Sequence, residues 1–371
     1  VSFSLISNVT QPDSFYQQAK SARKLLVLDL GFLGDTIHLL PALWAIRQAW
    51  PKAELHVMVA EHVTQILEVA PWVDRVWGYP RFPKGPKPWQ DFGRIKKLRA
   101  AKFDAVINLN GSDRSSLLTF LTGARWRLGR RPQGGGPWHW PFQFTQTVDY
   151  PYATMPVYEQ RWNCVALAGI PVAESPEFHV TISPNGRRTA GIALEEDGTY
   201  VHISPFTTQD QKELPEPELV SLISMLQSST PDQRVVVSCA PNEREQSKLK
   251  RILSQVPERP WHVFAGSLKT LDLASVIAGA RVHLGGDSGA LHLAVMAGVP
   301  TVSWFRNYEG LTDWAPSGPS HTVLVGQDVG INGLTGISAD HLVTCAVNMI
   351  NVSVPSMDTA EIVPPQSHPA R

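Results

Sequence analysis

The residues best suited to chemistry lie between Leu284 and Phe305: Gly285, Gly286, Asp287, Ser288, Gly289 and His292. Residues 281–284 read as the end of a strand. Gly285 and Gly286 permit a tight turn and close backbone approach. Ser288 is suited to cap the helix that follows. Gly298 and Pro300 close that helix, and residues 301–305 form a second buried strand. A helix N-terminus offers free N–H groups and the positive end of its dipole, so it is a natural anion site. His292, one turn in, is placed to face the same anion. One reading is a diphosphate site. The other is a plain strand-turn-helix corner with a packed histidine, and this stretch alone leaves both open.

A second glycine turn, Gly31-Phe-Leu-Gly34, ends the apolar run that starts at Lys24 and leads into Asp35. Such a run reads as a parallel strand buried on both faces. Two alternating strand-helix series follow one another along the chain. The first has strands at 24–30, 54–60, 75–77, 104–109 and 126–129. The second has strands at 199–203, 234–238, 261–265, 281–284, 301–305 and 323–325. Helices lie between them, including one after Gly34 with Ile37, Leu40 and Trp44 on one face. Pro41 should kink that helix or mark its first turn. A short strand is expected at 178–181 within a connection, and a long irregular loop at 130–157. Two parallel sheets covered by helices result, an α/β architecture. Ligands in such sheets bind at the carboxyl ends of the strands. Both glycine turns lie at such ends, so facing domains would put both on one cleft. The expected divisions are an arm at 1–23, domains at 24–180 and 190–350, and a proline-rich tail at 351–371.

Length and composition agree. The 371 residues fit about two domains at roughly 150 residues each. Lys+Arg and Asp+Glu are both 33, so the chain lacks the broad basic surface that nucleic-acid binding needs. Three scattered cysteines give neither a metal spacing nor a disulfide framework, which fits a reducing cytoplasm. No run approaches the roughly 20 apolar residues of a membrane span, and the first 20 residues lack the order of a signal peptide. Of the 12 tryptophans, those around residues 72–89 and 126–162 read as core or as surface for an amphipathic partner.

Three blocks together resemble the heptosyltransferase family of glycosyltransferases, which adds heptose to the lipopolysaccharide inner core. Residues 33–43, Leu-Gly-Asp-Thr-Ile-His-Leu-Leu-Pro-Ala-Leu, are similar to its LGD-x₄-LPAL start. Residues 207–215, Thr-Thr-Gln-Asp-Gln-Lys-Glu-Leu-Pro, are similar to its TT-x₃-K-x₂-P loop. Residues 286–292 match its D-[TS]-G-x-x-H block. The resemblance spans roughly residues 24 to 345. It implies a GT-B fold, two Rossmann-like domains facing across a cleft, with an ADP-heptose donor held by the second. It implies inversion without a metal or cofactor.

By this resemblance Asp35 is the base that deprotonates the acceptor hydroxyl. Its residue type equally suits a helix N-cap. Lys212, Thr207, Thr208, Ser288, Gly289 and His292 would hold the diphosphate with fixed donors. Threonines in a loop also serve turns. Asp287 would repel phosphate, so it would orient the turn or meet a sugar hydroxyl. Glu243 would reach ribose hydroxyls or merely start a helix. The implied acceptor is an anionic, lipid-linked Kdo-lipid A. Arg114, Arg127, Arg130 and Arg131, with Arg125 and the basic helix at 94–99, would grip its anionic groups at the cytoplasmic face of the inner membrane. Residues 304–310 depart from the family's Phe-Gly-Pro-Thr-like turn, which opens the choice of donor sugar or of a protein acceptor. A dehydrogenase reading fails because the first turn lacks the third glycine of G-x-G-x-x-G and the acid about 20 residues on. A non-catalytic nucleotide-sugar-binding protein remains as the reading from another class.

Overall fold

A computed structural model describes residues 13–81, 91–131, 135, 137–149, 154–230, 232–329 and 333–351. All of the expected tail but Asn351 lies outside them, as do most of the arm and part of the 130–157 loop. The chain opens with α1 (Phe15–Ala19), β1 (Lys24–Leu28), α2 (Leu33–Ala49), β2 (Glu54–Ala60) and β3 (Arg75–Tyr79). Next come α3 (Phe92–Ala100), β4 (Ala105–Asn108), α4 (Asp113–Leu121), β5 (Trp126–Arg131), α5 (Trp140–Gln143), β6 (Gln146–Asp149) and α6 (Val157–Leu167). The second half holds α7 (Asn185–Thr189), β7 (Tyr200–Ser204), α8 (Glu216–Ser229), β8 (Arg234–Cys239), α9 (Glu243–Leu253), β9 (His262–Ala265) and α10 (Thr270–Ala278). It ends with β10 (Val282–Gly286), α11 (Gly289–Met296), β11 (Thr301–Asn307), α12 (Leu311–Trp314), β12 (His321–Val329) and α13 (Ala339–Asn351).

The first sheet has the order β3-β2-β1-β4-β5-β6, the second β12-β11-β10-β7-β8-β9. Every pairing is parallel. Each sheet therefore follows the doubly wound order, with a switch point between β1 and β4 in one and between β7 and β10 in the other. Ligand crevices open at such switch points. The chain leaves β1 toward Asp35 and leaves β10 toward Asp287. These are the two glycine turns.

The strands form where the sequence has apolar runs. Leu25–Leu28 and Tyr200–Ile203 are buried, as parallel strands covered on both faces must be. Helix α2 is apolar nearly all round because it is enclosed: it packs on α6 and on α11 of the other half. It runs unbroken through Pro41, so that proline neither marks the first turn nor ends the helix. One core cluster continues from the first sheet through α2 into Ala290, Leu293 and Ala294 of α11.

Two expectations need correction. Residues 178–181 form no strand. They run extended along the first core, with the Thr181 N–H donating to the Val69 carbonyl at 2.7 Å. The 130–157 segment is not wholly irregular, since it contains α5 and the edge strand β6. A four-residue polar strand and a one-turn helix are too short to show a period. The tryptophans divide between the two readings. Trp140 is buried, whereas Trp138 is 82% exposed.

Candidate active site

On one wall, β1 delivers Asp29 and the Gly31 turn, and α2 starts at once. Asp35 stands in the first turn of α2, where its Oδ2 accepts the Phe32 N–H at 2.9 Å. It thus caps the helix as well as facing the cleft. Only glycine fits at 31, because a Cβ there would lie 2.2 Å from that of Asp35. Arg161 comes from α6. Its Nη2 lies 3.0 Å from Asp35 Oδ1 and 2.6 Å from Asp29 Oδ2, and its Nη1 donates to the Asp35 main-chain carbonyl. Asp29 is fully buried and also accepts from the Gly31 N–H at 2.9 Å and from Asn110 at 3.4 Å. Burial pushes its carboxyl up to about 6, against the pull of Arg161. An ionised carboxylate has about four acceptor positions. The bonds to Phe32 and Arg161 leave room on Asp35, whose side chain is 22% exposed.

On the other wall, Lys212 Nζ lies 2.6 Å from Asp287 Oδ2. Tyr308, on the loop after β11, donates to the same oxygen at 3.3 Å, and Lys212 lies 5.9 Å from its ring. Burial, with Asp287 beside it, raises the phenol far above its ordinary range. Arg244 and Lys248 of α9 pin the loop before Lys212. Arg244 bonds the Thr207 carbonyl, and both cations hold buried Glu213, at 2.9 and 2.8 Å. Gly286 allows this packing, since a Cβ there would lie 2.7 Å from Trp304 Nε1 and 3.1 Å from the Lys212 carbonyl oxygen. Ser288 Oγ and Trp304 Nε1 are buried and have no hydrogen-bond partner among the described residues. Leaving such a group unsatisfied costs about 1–3 kcal/mol.

The walls meet at two glycines. A Cβ at Gly34 would lie 2.7 Å from His292 Cδ2, and one at Gly289 would lie 2.9 Å from Leu33 Cδ2. The N-termini of α2 and α11 thus abut. His292 Nδ1 lies 3.0 Å from His38 Nε2, ring edge to ring face, with Trp314 alongside. Burial lowers both imidazoles, His38 well below its ordinary value. Both are neutral near pH 7, and one donates to the other.

Several expected roles change. Ser288 takes the N-cap position of α11 but makes no capping bond. Its hydroxyl is left for something other than the helix. His292 does not simply face the turn, because its Nδ1 is engaged across the domain contact. The buried Thr207 hydroxyl is occupied in its own turn, donating to the Gln209 carbonyl at 2.8 Å and accepting the Gln209 N–H at 3.1 Å. It is not a free donor. Thr208 is exposed and makes no side-chain bond among the described residues. Glu243 is exposed in the first turn of α9, outside the contacts of the Lys212 cluster.

The arginines do not assemble into an open cationic surface. Arg127 donates to the Gln143 and Ala124 carbonyls at 2.8 and 2.6 Å. Arg130 is buried against Gln160 at 3.1 Å. Arg131 pairs with Asp149 at 2.5 Å. Arg114 bonds the Tyr79 hydroxyl at 3.0 Å and keeps a 42% exposed side chain. Arg127, Arg130 and Arg131 mainly fasten β5 to α5, α6 and β6; of these elements α5 and β6 were not expected from the sequence. Sequence reasoning also missed Arg161, Asp29 and His38. Only Tyr308 had a signal, the departure at 304–310.

Two doubly wound sheets whose switch-point turns meet make a GT-B architecture. The chain belongs to glycosyltransferase family 9 (heptosyltransferase), whose model matches residues 93–329. It is 24% identical to lipopolysaccharide heptosyltransferase 3 of Escherichia coli, over 77% of this chain and 84% of that one. It is 21% identical to the lipopolysaccharide core heptosyltransferase OpsX of Haemophilus influenzae, over 79% and 81%. Among solved structures, a family 9 glycosyl transferase from Veillonella parvula superposes with TM-score 0.77 at 18% identity, covering 88% of this chain and 97% of that one. E. coli heptosyltransferase WaaC with ADP-2-deoxy-2-fluoro heptose superposes with TM-score 0.69 at 20% identity, covering 88% and 99%.

Proposed function

We propose that the protein transfers heptose from ADP-heptose to the Kdo-bearing inner core of a lipopolysaccharide precursor, with inversion at the anomeric carbon. What supports this reading is that Asp35 starts α2 and Lys212 is paired with Asp287 just before α11, the two helices whose N-termini abut. Asp35 takes the proton of the acceptor hydroxyl as its oxygen attacks the anomeric carbon. The bond from that carbon to the diphosphate oxygen breaks, and the electron pair leaves with ADP. Lys212, the Ser288 hydroxyl and the Trp304 N–H meet the charge that develops there. Asp287 holds Lys212 ready and gives it up to the diphosphate. The choice of heptose draws on the names of the relatives and on the ADP-heptose analogue bound to WaaC. No metal or cofactor is called on.

The acceptor is an anionic lipid-linked saccharide, and the enzyme works at the cytoplasmic face of the inner membrane. The contact proposed is peripheral; among the described residues no helix is long and apolar enough to cross a membrane. Tyr308 favours a second reading. A phenol touching Asp287 beside the donor position fits a nucleotide sugar other than ADP-heptose.

The test is ADP release by purified protein with ADP-heptose and deacylated Kdo-lipid A. Turnover is expected, with at least a thousandfold loss in Asp35→Ala. Normal turnover in that variant would remove Asp35 as base. Turnover only with a different ADP-sugar would establish the second reading. Donor binding without turnover on any acceptor would leave a binding protein.

A further inference from the structure

Helix α4 turns an unusual face to solvent. Its outward positions include Leu117 and Phe120, 47% and 46% exposed, at the i, i+3 spacing of one stripe. The short α5 is anchored beside it, as buried Trp140 donates from Nε1 to Asp113 of α4 at 3.0 Å. That anchor leaves Trp138 and Phe142 standing out, 82% and 71% exposed. Single exposed apolar residues are ordinary, but four on two packed elements form a patch that implies a partner. The rim is basic. Lys96, Lys97 and Arg99 are exposed on neighbouring α3, and Arg125 is exposed just after α4. The Arg127 guanidinium lies 5.7 Å from the Phe120 ring. Asp113, the carboxylate of this face, is bonded by Trp140 and lies 3.5 Å from His139.

We propose that this face of α4 and α5 docks on an anionic lipid bilayer. Aromatic and aliphatic side chains enter the headgroup boundary, and the lysines and arginines meet lipid phosphates. The proposal rests on the reading of a lipid-linked acceptor and names the surface that reading requires. The patch adjoins the cleft. Ser112, the N-cap of α4, bonds Asn110, which bonds Asp29, which meets Arg161 and through it Asp35. A saccharide could reach the base while its lipid stays in the membrane beneath α4 and α5.

The test sediments the full chain with vesicles of phosphatidylcholine, with and without phosphatidylglycerol. Wild type should bind the phosphatidylglycerol vesicles. Leu117→Ser/Phe120→Ser/Phe142→Ser should lose roughly tenfold in binding. Lys96→Glu/Lys97→Glu should lose the preference for phosphatidylglycerol. Both variants should keep wild-type thermal midpoints, and the triple variant should keep wild-type turnover of deacylated acceptor. Wild type left in the supernatant, or variants that bind equally, would overturn the proposal. A dimer mass for wild type that becomes a monomer mass in the triple variant would overturn it too, by making the patch a self-association face. Vesicle binding without heptose transfer would sink the functional reading alone, and transfer without vesicle binding would sink this one alone.

Discussion

Arg161 holds Asp35 at two points, its carboxylate and its own main-chain carbonyl. The same guanidinium is closed from behind by buried Asp29. The proposed base is therefore oriented by a helix that belongs to neither glycine turn. Removing the arginine should disturb chemistry more than binding. We expect Arg161→Met to lower kcat by roughly 10–100-fold, with donor KM within about threefold. Asp29 then lacks its partner, and stability should fall by about 2–4 kcal/mol. Adding Asp29→Asn should restore much of the stability and none of the rate. Steady-state kinetics and urea unfolding on the two variants separate the effects.

Asp29 gives a pH dependence with an unusual sign. Its carboxyl is at about 6 when folded and near 3.8 when free. Between those values the folded state binds the proton and the unfolded state does not. Its contribution to stability is thus present in acid and lost as pH rises through about 6. The amount is about 3 kcal/mol at most. Urea unfolding of wild type and Asp29→Asn at pH 4.5 and 7.5 reads it. Wild type should lose stability relative to the variant at the higher pH, and a constant difference would refute the assignment.

The His38–His292 pair has the opposite sign. Burial lowers both from the ordinary 6.5, so the unfolded chain binds more protons. Their contribution is full above pH 6.5 and lost as pH falls below it. His38→Ala leaves His292 Nδ1 buried without its partner and should cost about 1–3 kcal/mol at pH 7.5. Its disadvantage to wild type should shrink by pH 5.5, measured again by urea unfolding.

Gly34 tests whether the walls must touch. In Gly34→Ala the new methyl meets the His292 ring at 2.7 Å, so α2 and α11 must separate. We expect kcat/KM to drop by roughly 10–1000-fold, since a displacement of about an ångström is enough. ADP affinity by calorimetry should change less than threefold, because the proposed phosphate donors sit on the other wall. Equal loss of ADP affinity would show that Gly34 serves the donor side instead.

Tyr308→Phe removes the hydroxyl that touches Asp287. If Tyr308 selects the sugar, the variant should narrow the kcat/KM ratio between the preferred ADP-sugar and its competitors by roughly tenfold. An unchanged ratio over a panel of ADP-sugars would leave it a packing residue.

Much of the fold was legible because parallel strands buried on both faces leave continuous apolar runs, as at Leu25–Leu28 and Val235–Val237. The glycine turns were legible because nothing larger fits at Gly31 or Gly286. The edge strand β6 was not, since a strand open on one side can be short and polar. Arg161 was invisible for another reason. It sits mid-helix with no local pattern, and only the packing of α6 on α2 brings it to Asp35. Thr207 looked like a phosphate donor because sequence cannot show where a hydroxyl's own bond goes.

The pairing of Lys212 with Asp287 sets a threshold on charge. A neutral sugar entering the cleft gains nothing from Lys212, which is already paired. A ligand with one negative charge can only take Asp287's place, roughly an even exchange of one anion for another. A ligand with two charges on adjoining phosphates can draw Lys212 across and still have charge left for the Ser288 and Trp304 donors. On the proposed function, a resting site paired in this way gives little to a monoanion and more to a diphosphate.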